Sequence, residues 1–230
     1  MVEPADWRHV TKVDPDKGMS EEKMRDIAVS GTDAVVVGGT QGVTREKVLS
    51  LLSSVDADVP VVVEPSNPAS AVGAGDALLV PTVLNADTVD WVVGIHKEWA
   101  RTEDVDWSRV VGEGYIVMNP DSAVGRLTGA DTSLSPQEAA GYAEVADGLF
   151  DLPVVYVEYS GTFGDTEVIE AVADAVDDAT VFYGGGVDGY DRAKEAARYA
   201  DCIVVGDAVH EKGVDALRET VRGVDDARGV

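Results

Sequence analysis

Tyr156-Val157-Glu158-Tyr159-Ser160-Gly161 reads as a strand that ends in a carboxylate, a hydroxyl and a glycine. Two glycine-ended strands follow it, Val181-Phe182-Tyr183-Gly184-Gly185-Gly186 and Cys202-Ile203-Val204-Val205-Gly206-Asp207. In a parallel α/β barrel the loops after the last strands, with the helix N-termini beyond them, form a recurrent phosphate cradle, because free N–H groups there point at the ligand. Together the three segments imply a barrel that handles a phosphorylated small molecule.

Eight short β-branched runs can be counted: His9–Val13, Ala34–Val37, Pro60–Glu64, Ala77–Val80, Tyr115–Met118, Val154–Tyr159, Thr180–Tyr183 and Cys202–Val205. Segments of helical periodicity lie between most of them, over Glu21–Val29, Arg45–Leu52, Thr88–Trp99, Pro136–Ala146, Glu167–Val176, Tyr190–Tyr199 and Val214–Val221. Apolar strands alternating with amphipathic helices predict a parallel sheet covered on its outside, and eight of them predict closure. The fold class is α/β, a modified TIM (β/α)8 barrel occupying residues 1–230 as a single domain. Pro65 to Asp76, with two prolines, Asn67, Gly73 and Gly75, is too broken for a crossover helix, so the third βα unit is irregular. Asn119 to Ser135 is the longest connection and suits a loop or short helix over the barrel mouth.

Eighteen Lys+Arg against 43 Asp+Glu give a net charge of −25, a field that repels nucleic acid and anionic lipid surfaces. The acidic residues are spread over helix faces, as at Glu167, Glu170, Asp174, Asp177 and Asp178, and lysine is scarce. This pattern reads as adaptation to a high-salt cytosol, where dense carboxylates hold hydration and repulsion is screened. Cys202 stands alone in an apolar run and reads as a small buried hydrophobe. No basic leader with an apolar stretch opens the chain, and no run reaches the ~18 apolar residues a membrane helix needs, so the expectation is a cytoplasmic protein with no integral membrane segment.

Chemistry is expected at the carboxyl ends of the strands. Lys12 and Asp14 share one side of the first strand, ended by Pro15; such a pair can hold a diphosphate and a magnesium ion, or be a surface ion pair beside a turn. Gly38-Gly39-Thr40 lets an anion approach the backbone and offers an oxygen to the metal, or simply makes a turn. Glu158 shares a face with Tyr156 and Ser160 and is the candidate general base, the rival being a structural carboxylate paired to an arginine. Val157 and Tyr159 then face the helices. The fifth strand, ending Met118-Asn119-Pro120, shows no titratable group, and His9, His96 and His210 show no metal-ligand spacing. Trp91 and Trp99 fall on one helix face and read as packing residues.

Taken together, Lys12-Val13-Asp14-Pro15-Asp16-Lys17, Gly38-Gly39-Thr40, Tyr156 to Gly161, Gly184-Gly185-Gly186 and Val205-Gly206 resemble the geranylgeranylglyceryl phosphate synthase family, which includes bacterial heptaprenylglyceryl phosphate synthases. The resemblance spans the chain in order. It implies a magnesium-dependent prenyltransferase, joining geranylgeranyl diphosphate to the 3-hydroxyl of sn-glycerol 1-phosphate, and it favours a homodimer. By motif match Asp14 and Thr40 correspond to the Mg2+ site. Lys12, Tyr156, Val157, Glu158, Tyr159, Ser160, Gly161, Gly186, Gly206 and Asp207 correspond to the glycerol-phosphate site, with Glu158 as base and Tyr156 orienting the glycerol. Asp207 departs from the asparagine expected there and puts a carboxylate near the phosphate. The alternatives left open are a longer prenyl donor, another phosphate-binding barrel of the isomerase or lyase kind, and a non-catalytic phosphate-binding barrel.

Overall fold

Valine-rich strands wall the molecule, in a computed structural model that describes residues 2–55 and 57–229. The end positions 1 and 230 of the expected domain lie outside those residues. In chain order the elements are β1 (His9–Val13), α1 (Glu21–Ala28), β2 (Ala34–Gly38), α2 (Arg45–Ser53), β3 (Val61–Glu64), β4 (Leu78–Val83), α3 (Gly94–Thr102), β5 (Val110–Val117), α4 (Ala123–Thr128), α5 (Pro136–Gly148), β6 (Val154–Glu158), α6 (Thr166–Ala173), β7 (Thr180–Gly184), α7 (Tyr190–Ala196), β8 (Cys202–Val205), α8 (Asp207–Glu211) and α9 (Val214–Arg228). The strands pair in parallel in sequence order and β8 closes on β1, giving a closed eight-stranded barrel.

Alternation along each strand sorts the side chains into two cores. Val10, Val36, Val62, Leu79, Tyr115, Val154, Phe182 and Val204 fill the barrel, while Val35, Val37, Val63, Ile116, Val155, Val157 and Tyr183 pack outward beneath the helices. Helix starts follow the sequence: Ser20 and Thr44 accept from the backbone N–H of Lys23 and Lys47, and Ser135 with Glu138 makes a capping box ahead of Pro136.

The third unit is irregular, as expected. Between β3 and β4 the chain forms only a 3-10 turn over Pro68–Ser70, and one register pair, Val63 with Leu78, joins the two strands. That seam leaves the barrel top open on one side.

Three expectations are corrected. β5 begins at Val110, not Tyr115, and so carries Glu113 into the barrel; Gly112 and Gly114 break its apolar run because added Cβ atoms would lie 2.8 Å from Leu152 and 2.9 Å from Ala146. β4 runs on through Pro81 to Val83. The Thr88–Trp99 helix is two pieces, a 3-10 turn at Val89–Trp91 and then α3, so Trp91 and Trp99 share no continuous helix face.

His9 is buried outside the β1 wall, with its ring nitrogens 3.1 Å from Thr32 Oγ1 and 3.0 Å from Thr220 Oγ1. Burial drives its pKa from 6.5 down to about 4, against a partly offsetting pull from Asp33. A folded-state pKa below the unfolded value means that the unfolded chain takes the proton first, so stability is lost as pH falls from 6.5 towards 4. At roughly 1.4 kcal/mol per pH unit for one proton, the expected loss to about pH 5 is about 2 kcal/mol. Urea titrations of wild type and His9→Asn at both pH values check it: the wild-type curve should fall by that much more than the variant's.

Candidate active site

Two cavities meet at the carboxyl end of the barrel, sharing Lys12, Gly39, Thr40, Val124 and Ser160. One is polar, and Asp14, Tyr156, Gly161, Gly184, Gly185, Gly186, Gly206 and Asp207 line it. The other is mainly apolar and leaves through the open β3–β4 seam, between Pro65 to Pro68 on one side and Trp91, Ile95 and Trp99 on the other. Val124, Leu127 and Thr128 of the short helix α4 cover it, which is where the Asn119 to Ser135 connection was expected to fold. Trp91 and Trp99 therefore form cavity wall as well as packing.

At the junction the barrel holds one cation among three carboxyl groups. Lys12 Nζ lies 2.6 Å from Glu64 Oε1 and 3.4 Å from the Tyr115 hydroxyl, and sits 5.8 Å from the Tyr156 ring centroid. Burial works to lower the Lys12 pKa, but Glu64, Glu158 and Glu113 raise it overall, so it stays charged. Glu158 is 2% exposed; its Oε1 accepts from the Ser160 N–H at 2.8 Å. Burial lifts its pKa above the ordinary carboxylate range, with Lys12 and Ser160 opposing. A carboxylate so raised is a better proton acceptor near neutral pH than an exposed one. Glu113, one layer deeper, has an Oε2 with no hydrogen-bond partner among the described residues. Burial first, then the charge of Glu64, pushes its pKa well above the ordinary carboxylate range. Burial likewise pushes up the Tyr156 and Tyr115 phenols, which remain donors.

Of the residues expected to bind substrate, Lys12, Tyr156, Glu158, Ser160, Gly161, Gly186, Gly206 and Asp207 come together around these cavities. Val157 and Tyr159 do not. Their side chains lie in the outer core, as the strand alternation requires, and the Tyr159 N–H is bonded to Gly184 O at 2.7 Å. The helix expected from Tyr190 begins there, as α7, so the free backbone after the β7 glycines belongs to a loop. Glu64, Glu113 and Tyr115 were missed. Glu64 carried a readable signal, since Val61-Val62-Val63-Glu64 ends in a carboxylate just as β6 does.

Asp14 and Thr40 both line the polar cavity. Asp14 Oδ1 accepts from the Asp16 N–H at 2.9 Å, and a Cβ on Gly39 would lie 2.5 Å from that same oxygen. Only a glycine leaves the Asp14 carboxylate room beside the backbone. Asp16 is turned away, paired with Lys47 at 2.5 Å. No cluster of three His, Cys, Asp or Glu side chains able to hold a metal occurs among the described residues. This donor set fits an ion that keeps waters and takes most of its oxygens from a diphosphate, as Mg2+ does, rather than a metal caged by protein ligands.

Asp207 pairs with Lys17 at 3.1 Å, both about half exposed. The lysine answers the carboxylate that stands where asparagine was expected. Asp207→Asn is expected to make the polar cavity more favourable to a phosphate dianion by about two- to five-fold in dilute buffer, the size of an exposed ion-pair effect, and by less in molar salt. Calorimetric titration at both ionic strengths reads the difference.

The PcrB family model matches residues 3–224. The chain belongs to the PcrB family. This PcrB-family chain is 55% identical over 228 residues to a geranylgeranylglyceryl phosphate synthase of Halobacterium salinarum, covering 97% of each chain. It is 52% identical to the protein of that name from Methanoculleus marisnigri, over 95% of this chain and 96% of that one. Among solved structures it resembles the (S)-3-O-geranylgeranylglyceryl phosphate synthase of Thermoplasma acidophilum in complex with its substrate sn-glycerol-1-phosphate, at TM-score 0.85 and 24% identity, covering 98% of this chain and 100% of that chain. Tryptophan synthase of M. tuberculosis matches at TM-score 0.55 and 19% identity, over 97% of this chain and 93% of that chain. Both structural likenesses speak to the barrel fold. No helix among the described residues is long and apolar enough to cross a membrane.

Proposed function

We propose that this PcrB-family chain is a geranylgeranylglyceryl phosphate synthase, joining geranylgeranyl diphosphate to the 3-hydroxyl of sn-glycerol 1-phosphate with release of diphosphate. The observation that carries this reading is the meeting of a glycine-lined polar cavity and an apolar cavity at Lys12 and Ser160, with Glu158 on the wall of the apolar one beside that junction. A phosphate ester fits the first and an isoprenoid chain fits the second. The relatives at about half identity carry the same name over nearly the full chain.

In this reading the glycerol phosphate lies along the β6–β8 loops, its hydroxyl turned towards Glu158. Glu158 takes the hydroxyl proton as the oxygen attacks the allylic carbon, and the Ser160 N–H keeps its Oε1 in place. The Tyr156 phenol orients the glycerol. Glu64 and Glu158 place negative charge beside the carbon that becomes positive, while Lys12 meets the anionic groups. Asp14, with Thr40, would hold Mg2+, which would supply charge neutralisation for the departing diphosphate. Trp99, buried and packed edge-on against Trp107 at 5.6 Å, closes the outer end of the apolar cavity and favours the C20 donor over a C35 one. The enzyme acts in the cytoplasm as a homodimer, for which the exposed Leu149 and Phe150 after α5 offer apolar surface; sedimentation in high and low salt tests the assembly.

The assay is incubation with radiolabelled sn-glycerol 1-phosphate, a C20 or C35 diphosphate and Mg2+ in molar salt. An organic-extractable product from the C20 donor, absent with chelator, is expected. No product from either donor ends the proposal, and preference for C35 ends the chain-length reading.

A further inference from the structure

The β7 glycines have a second task besides making room. Gly184, Gly185 and Gly186 carry three successive carbonyls, and each is tied back. Gly184 O accepts from the Tyr159 N–H at 2.7 Å, Gly185 O from the Tyr183 hydroxyl at 2.9 Å, and Gly186 O from Arg192 Nη1 at 2.9 Å. In a planar trans peptide the C=O and the next N–H point in opposite directions. The chain has no cis peptide among its described residues. Anchoring those three carbonyls therefore aims the N–H groups of Gly185, Gly186 and Val187 away from the anchors. All three residues line the polar cavity, and none of these N–H groups has a partner within the chain among the described residues.

Tyr183 is the central anchor. It faces outward on β7, is fully buried, and has its ring against Phe163 at 6.0 Å and Tyr159 at 6.2 Å. Its hydroxyl accepts from the Gly164 N–H at 2.7 Å while donating to Gly185 O, so one oxygen ties the loop after β6 to the loop after β7. The two loops touch along their length. A Cβ on Gly185 would meet Thr162 O at 2.8 Å, and one on Gly186, whose φ is +54°, would strike the Phe163 backbone. No glycerol-phosphate contact is made by Tyr183 itself, which lines neither cavity.

We infer that Tyr183 is a positioning residue for the phosphate monoester: its hydroxyl locks the β6 and β7 loops together and sets the Gly186 N–H as a phosphate donor. The inference rests on the proposal that sn-glycerol 1-phosphate occupies the polar cavity.

Tyr183→Phe removes the hydroxyl and keeps the ring packing. Calorimetry and steady-state kinetics are expected to show the Kd and KM for sn-glycerol 1-phosphate rising about ten-fold, the scale of one well-placed hydrogen bond lost from a dianion site. The KM for geranylgeranyl diphosphate, and kcat at saturation, should stay within about two-fold, since the apolar cavity lies across the mouth. Binding of sn-glycerol 1-phosphate within two-fold of wild type overturns the inference. So does an equal rise in both KM values with a lowered melting temperature, which marks a purely structural hydroxyl. Should the variant not fold, the Gly186 amide proton of the wild-type protein decides, moving downfield as sn-glycerol 1-phosphate is added if the inference holds and staying put if it does not. Failure of wild type to bind sn-glycerol 1-phosphate at all is a different result, and would end the proposed function instead.

Discussion

Glu158→Gln is expected to lower the single-turnover rate of ether formation by about 10²- to 10⁴-fold, the range a positioned general base contributes. The substitution is close to isosteric, and the glutamine Oε1 can still accept from the Ser160 N–H that holds the carboxylate in wild type at 2.8 Å. Binding of sn-glycerol 1-phosphate should accordingly stay near wild type, so that the loss falls on the chemical step. Wild type carries a linked signature in pH. Because burial raises the Glu158 pKa, the ionised base disappears as pH falls through a value above the ordinary carboxylate range, and the acid limb of kcat/KM should sit correspondingly high. Near-wild-type turnover by a variant that binds both substrates would remove Glu158 from the proton transfer.

The strands that were easiest to read, β1, β6 and β8, are rich in β-branched residues, hold no glycine or proline, and end where turn chemistry begins. β5 was truncated in the sequence reading because Gly112, Glu113 and Gly114 look like the end of a strand, not its first half. Their reason is tertiary. The glycines admit Leu152 and Ala146 against the strand, and the glutamate between them points into the barrel. No local pattern distinguishes such glycines from turn glycines. The Thr88–Trp99 periodicity concealed a break for a similar reason: a Cβ on Gly94 would collide with Asp90, so the chain closes into a tight corner there.

The site was legible where a motif sits on one strand end and illegible where it is assembled across the barrel. Tyr156, Glu158 and Ser160 share a face by alternation alone, and the same alternation excludes Val157 and Tyr159. Lys12 and Glu64 are 52 residues apart, and their 2.6 Å contact exists only because β1, β2 and β3 are neighbours in register. The apolar cavity is less legible still. Its walls come from a missing helix, a broken one and a short one; prolines and glycines announced the first and the long Asn119 to Ser135 connection the third, while the break was hidden.

That cross-barrel contact makes Lys12→Met the most damaging change expected for stability. Methionine matches the length of the buried stem but removes the one cation that faces Glu64, Glu113 and Glu158. Burial already pushes the Glu113 pKa well up, so the loss of the cation is felt chiefly at Glu64, which Lys12 contacts at 2.6 Å, and at Glu158. Breaking a fully buried pair costs about 3–5 kcal/mol, because an uncompensated charge stays inside. Lys12 and Glu64 keep 20% and 12% of their side chains exposed, so the expected loss lies at or below the lower end of that range. Glu158, whose pKa burial already raises, can escape by taking up a proton. A group whose folded pKa lies above the unfolded one favours the folded state below the unfolded pKa and loses that contribution as pH rises. The variant's deficit in urea should therefore be largest at neutral pH and should shrink as the solution approaches about pH 4, near the ordinary glutamate pKa. Adding Glu64→Gln to Lys12→Met should restore much of the neutral-pH loss, a coupling a double-mutant cycle measures directly. A deficit indifferent to both pH and Glu64 would mean that Lys12 serves the barrel through packing of its methylenes against Tyr115 and Tyr156, with its charge answering only to substrate.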